Sequence, residues 1–176
     1  GLIVNLFFYI PMMAGSVIDM QMGLSMASTY DPASGIQVTA TSTLLNVLMS
    51  LLFFAANGHH TLIRIFLASG RVVPFGTAAL GENLYGAVIQ IFVDCTLLGI
   101  KLAMPVLAAE LMGQVGMGIL MKAIPQINVF AINIELKVII GLVLIMLMLF
   151  PFSQFLLEAE TQMLVSLQEI LPLMSG

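Results

Sequence analysis

LYGAVIQIFVDCTLLGIKLAMPVLAAELMGQVGMGIL, residues 84–120, decides how this chain is read. Carried as one helix at about 1.5 Å per residue, it would reach roughly 54 Å, against a hydrocarbon core of about 30 Å. Such a helix must protrude, tilt or bend. Pro105 is the expected bend, because it removes a backbone N–H and crowds the preceding turn. Asp94 and Lys101 lie two helical turns apart on one face, with Glu110 further along. Read as three buried charges in apolar surroundings, they imply protein neighbours. Gly113, Gly116 and Gly118 loosen the helix end, and IPQINVF at 124–130 forms a polar turn. Residues 138–150 begin a return helix that Pro151 kinks, so the segment reads as a helical hairpin reversing at Pro125, Gln126 and Asn128. The last stretch mixes Glu158, Glu160, Gln162, Gln168 and Glu169 with Leu and Met, which reads as amphipathic rather than spanning.

Composition agrees with an all-α, membrane-associated chain. Of the 176 residues, 60% are hydrophobic and 8% charged, where a soluble domain has roughly 25% charged. Nine acidic and five basic side chains cannot cover a soluble surface of this size, so burial must come from lipid and partner proteins. The net charge of −4 and the lack of clustered Lys and Arg exclude nucleic acid as a partner. The single cysteine, Cys95, allows no disulfide framework and reads as small core packing. Positive charges fall at Arg64 and Arg71 after the second segment and at Lys122 and Lys137 around the 124–130 turn, which gives no orientation by loop charge. The chain opens inside an apolar run, without an initiator Met or the basic start of a signal peptide, and is expected to be an N-terminal truncation.

The first segment, from Gly1 to about Ser28, is long enough to cross a bilayer. Gly15, Asp19, Gly23 and Ala27 fall four apart, a stripe of small and acidic residues that should meet protein. A carboxylate at the bilayer centre costs about 2.5–3.5 kcal/mol on insertion scales, so Asp19 is expected to face a partner or a wet cavity, the alternative being a helix end among headgroups. The helix should stop at Tyr30-Asp31-Pro32-Ala33-Ser34-Gly35, a turn-forming run. Gln37, Thr39, Thr41, Ser42 and Thr43 then need water or protein contacts. Residues 44–56 are apolar but short, and Asn57-Gly58-His59-His60 interrupts them, giving either one continuous span or a broken, re-entrant element. No repeat or linker divides the chain.

Catalytic readings are weak. Gly23-Leu24-Ser25-Met26 fits the loose Gly-x-Ser pattern of intramembrane serine proteases, with His59 or His60 as a base, but Ser25 reads as a position inside a helix. The two histidines diverge by about 100° on a helix and have no nearby Cys or acidic residue to complete a metal shell. The 14 methionines could bind copper through thioethers, although flexible packing is the simpler reading. With no phosphate loop, zinc spacing, nucleotide fingerprint or paired catalytic carboxylates, the chain is expected to be no enzyme and to need no cofactor and no metal. Broken helices and buried charges fit both a pore-forming assembly and a fragment of a small-solute secondary transporter.

A family resemblance separates the two. DMQMGLSMA at 19–27, YDPASG at 30–35 and NGHH at 57–60, followed by MPVLA at 104–108, VGMG at 115–118 and PQINVF at 125–130, resemble in order and spacing the FliR family of flagellar and type III secretion proteins. Members carry further N-terminal helices, roughly a third of their length, that this chain lacks. The resemblance implies a subunit of a helical hetero-oligomeric export gate, assembled with P-type and Q-type subunits and a B-type switch protein. Its setting would be the bacterial inner membrane, at a flagellar or injectisome basal body. It further implies P-like helices over 1–70 with a plug loop at 29–43, and a Q-like hairpin over 79–176. Carried onto these residues, the pore plug is Tyr30, Asp31, Pro32, Ala33, Ser34, Gly35, Ile36 and Gln37, which would move aside for unfolded flagellar or effector substrates. Asp19, Asp94, Lys101 and Glu110 are then expected as inter-helix or inter-subunit contacts, and the wording of the motifs leans flagellar.

Overall fold

The computed structural model describes residues 1–24, 29–31, 36–72, 82–123 and 129–173. Five helices carry the fold: α1 (Leu2–Met22), α2 (Ala40–Ala55), α3 (Gly58–Val72), α4 (Glu82–Ala123) and α5 (Val129–Leu173). Between α1 and α2 two short strands, β1 (Thr29–Asp31) and β2 (Ile36–Val38), pair antiparallel, Tyr30 opposite Gln37. The architecture is all-α and of membrane type, with this small hairpin as its one embellishment among the described residues.

The core forms around α1. Ile3, Phe7, Ile10, Ala14, Ile18 and Met22 recur at three- and four-residue spacing and are buried, the stripe that a helix presents to neighbours. It packs against α2, α4 and α5. On α5 the buried positions Ile145, Phe152, Leu156, Ala159, Met163 and Ile170 follow a seven-residue repeat. On α4, Leu84, Ile91, Cys95, Leu102 and Val106 fall at alternate steps of seven and four. Both are seams in which one narrow stripe packs against neighbours. Phe8 and Phe53 join α1 to α2 edge to face, with centroids 5.9 Å apart.

Helix ends follow local chemistry. α1 stops at Met22 rather than near Ser28, because Gly23 adopts φ 80° and turns its N–H back to the Asp19 and Met20 carbonyls. Gly15 and Asp19 lie on α1 with Gly23 at its cap, and Ser25 and Ala27 lie outside the described residues. The interruption at Asn57-Gly58 is a true break: Asn57 sits at φ 59°, and α2 meets α3 at 70°. Pro105 and Pro151 lie inside uninterrupted α4 and α5, and Gly113, Gly116 and Gly118 do not end α4, which continues to Ala123. The expected turn residues Pro125, Gln126 and Asn128 lie outside the described residues, while the helices on either side of them pack together.

Leu2–Met22, Leu84–Leu120 and Glu135–Pro172 are each long and apolar enough to cross a membrane, with the bent α2–α3 pair as a broken fourth candidate. Helix α5 qualifies through its most apolar stretch, while its last stretch carries Glu158, Glu160 and Glu169 among the apolar positions. Only 17% of the most apolar window of α5 is buried, so a whole face bearing Ile139, Leu142, Val143, Met146, Leu147 and Phe150 must be covered by lipid or other chains.

Candidate functional site at the junction of the first two long helices

The strand hairpin at 29–38 hangs between the end of α1 and the start of α2, so whatever holds those two ends together controls it. A helix start leaves backbone N–H groups without intrahelical acceptors. At α2 they are answered from two sides. Thr39 and Ser42 form a capping box, in which the Thr39 N–H donates to Ser42 Oγ at 3.0 Å and the Ser42 hydroxyl donates to the Thr39 carbonyl at 2.8 Å. From α1, Asp19 Oδ2 accepts the Thr41 N–H at 2.7 Å, and Asp19 Oδ1 accepts the Thr41 hydroxyl. Asp19 is fully buried and Thr41 nearly so.

This pairing explains how a carboxylate survives in an apolar helix. The helix dipole places partial positive charge at the α2 start, and Thr41 supplies two donors at the same spot. The close approach depends on Gly15: a Cβ there would lie 2.3 Å from the backbone N and Cα of Ser42. One turn of α1 thus contributes a flat surface at Gly15 and an acceptor at Asp19, and the first turn of α2 fills both. The polar run expected to be loop as far as residue 43 enters α2 at Ala40, because its hydroxyls serve as helix caps.

Of the eight plug positions, Tyr30, Asp31, Ile36 and Gln37 lie in the strands, and Pro32, Ala33, Ser34 and Gly35 lie outside the described residues. The other charges separate. Glu110 of α4 is buried; its Oε1 lacks a hydrogen-bond partner among the described residues, and Lys137 of α5 is near enough for its charge to act on it. Asp94 and Lys101, read from the sequence as buried, are exposed within this chain. They line an open cleft of about 650 Å³ with Glu158, Gln162 and Ser166, floored by Phe7. The hydrogen bond to Asp94 comes from Gln90 Nε2 at 3.1 Å, one turn back on the same helix. Among the described residues no three His, Cys, Asp or Glu side chains gather as metal ligands.

Sequence reasoning missed two partners. Thr41 was legible as a polar group in need of a contact, but nothing local pointed to Asp19, 22 positions earlier. Glu160, grouped with the polar side chains of the last stretch, is instead 3% exposed and lies against Gly58. A signal existed in the residue spacing: Leu156, Ala159, Glu160 and Met163 share the buried stripe of α5.

Known proteins resemble this chain along most of its length. Residues 1–163 match the family described as bacterial export proteins, family 1. The flagellar biosynthetic protein FliR of Escherichia coli K12 is 31% identical over 91% of this chain and 62% of its own length. FliR of Bacillus subtilis strain 168 is 26% identical over 82% of this chain and 57% of its own. The surface presentation of antigens protein SpaR of Shigella sonnei is 26% identical over 78% of this chain and 53% of its own. The chain therefore spans less than two thirds of the curated relatives it matches. Taken with the all-α membrane-type fold and the family motifs carried in order, these matches establish that the chain belongs to the FliR family of bacterial export proteins.

Proposed function

We propose that this chain is a structural and gating subunit of a flagellar or type III protein export gate, and that residues 30–37 seal its pore as a plug. The observation that carries the reading is the Asp19–Thr41 clamp. A loop that must block a conduit when closed and yield to an unfolded chain needs fixed ends and a free middle. Here both ends are fixed by buried polar contacts at a close helix crossing, while the hairpin between them is short and holds few backbone bonds. Lipid is a poor neighbour for the cleft bearing Asp94, Lys101 and Glu158, and P-type and Q-type subunits are the proposed neighbours at the outer helix faces. A B-type switch protein is a further proposed partner, and the assembly sits in the bacterial inner membrane at a basal body. The subunit does no chemistry; the work of export is supplied elsewhere.

The test is deletion of residues 32–35 in the full-length protein, assayed in cells for assembly with P-type and Q-type subunits, for secretion and for leakage of small ions. Normal assembly with raised leakage is the expected result. A gate that assembles, secretes and stays as tight as the unaltered one would remove the plug from the account, and saturable uptake of one small solute would replace the gate with a transporter.

A further inference from the structure

The break between α2 and α3 is built against a buried carboxyl group. Gly58 opens α3 directly after left-handed Asn57, and a Cβ at Gly58 would lie 2.2 Å from Glu160 Oε1 and 2.7–2.8 Å from two ring carbons of Phe53. Glu160 therefore fills the space that any other residue at 58 would need. Two polar atoms at this elbow are orphaned: Glu160 Oε2 and His59 Nδ1 are both buried without a hydrogen-bond partner among the described residues. The His59 ring is held by His60, with centroids 4.1 Å apart, and by Phe54 at 5.3 Å. Buried polar groups are almost always paired, and these two flank one point of the chain, Glu160 lying against Gly58 and His59 following it, so a change at the elbow can bring donor and acceptor together.

We propose that the α2–α3 elbow is a two-state hinge keyed by Glu160 and His59. In the bent state seen here the carboxyl group packs on Gly58; in the second state the elbow angle changes and the imidazole Nδ1–H donates to Glu160, pairing both orphans. The bent state has the Glu160–Gly58 packing, and the second exchanges it for the hydrogen bond. Because α2 also carries the clamped end of the 29–38 hairpin, the hinge gives α5 a mechanical connection to that hairpin. Its use in gating rests on the plug reading, whereas the hinge itself does not.

The experiment is pulsed electron spin resonance on the full-length protein in its assembly with P-type and Q-type subunits, with spin labels at Leu51→Cys and Leu67→Cys in a Cys95→Ser background. Two distance populations are expected. Glu160→Leu, which keeps the bulk and removes the acceptor, and His59→Phe, which keeps the ring and removes Nδ1, should each reduce the second population about fivefold, the change that one net hydrogen bond produces. Glu160→Gln retains an acceptor and should restore both populations. A single distance in the unaltered protein, or identical distributions in all four proteins, overturns the hinge. Distances that respond while ion leakage does not would support the hinge and count against the plug reading instead.

Discussion

Removing the Asp19 carboxylate tests the clamp most directly. In Asp19→Ala the Thr41 N–H, at 2.7 Å from Oδ2 in the intact protein, and the Thr41 hydroxyl both lose their acceptor. Each buried donor left unsatisfied costs about 1–3 kcal/mol, so the two together cost roughly 2–6 kcal/mol. At about 1.4 kcal/mol per factor of ten, a central figure near 4 kcal/mol shifts the ratio of clamped to released junction by several hundredfold. Asp19→Asn keeps one oxygen acceptor but not the charge facing the α2 start, and should lose about half as much. The measurement has two parts. Thermal unfolding of the purified assembly, for Asp19→Ala, Thr41→Val and the double variant, gives a coupling energy that cannot arise from two independent defects. Ion conductance of the same assemblies in planar bilayers then reports whether release of the junction opens the pore. The effects should be non-additive and the conductance raised in Asp19→Ala. Additive effects, or an Asp19→Ala assembly as stable and as tight as the original, would refute both the clamp and its link to the hairpin.

Two further substitutions use the same packing arithmetic. Gly15→Ala places a methyl group against the Ser42 backbone, which cannot rotate aside, and should destabilise the assembly by about 1–3 kcal/mol in thermal unfolding. Gly141→Ala meets first the side chain of Met22, a flexible thioether, and should cost less than Gly15→Ala; the reverse order would count against a rigid α1–α2 crossing. Glu110 has a buried oxygen with no hydrogen-bond partner among the described residues, so Glu110→Met should leave the unfolding temperature unchanged or raise it, and a marked fall would show that the Lys137 charge satisfies it.

Much of the fold was readable along the chain because helix formation and helix interruption are local. The apolar length of residues 84–120, the reversal before the last helix and the interruption at Asn57-Gly58 follow from spacing and turn chemistry, and the structure carries all three. Helix ends were less readable. Gly23 terminates α1 five residues before Ser28, since a glycine can close a helix or continue it and only the conformation adopted distinguishes the two. Prolines 105 and 151 interrupt neither helix: each lies inside a continuous element, since the loss of one N–H and local crowding do not by themselves end a long helix.

By itself the sequence determined an all-helical, lipid-grade chain with polar breaks and family motifs in order, because hydropathy and 3.6-residue periodicity are properties of neighbouring residues. Tertiary structure alone decided the fate of each polar group. It set Asp19 on Thr41 and Glu160 against Gly58, and it left Asp94 and Lys101 in an open cleft. The physical reason is that periodicity names the face a side chain occupies, whereas its burial and its partner depend on which distant helix arrives there and how closely a glycine lets it approach.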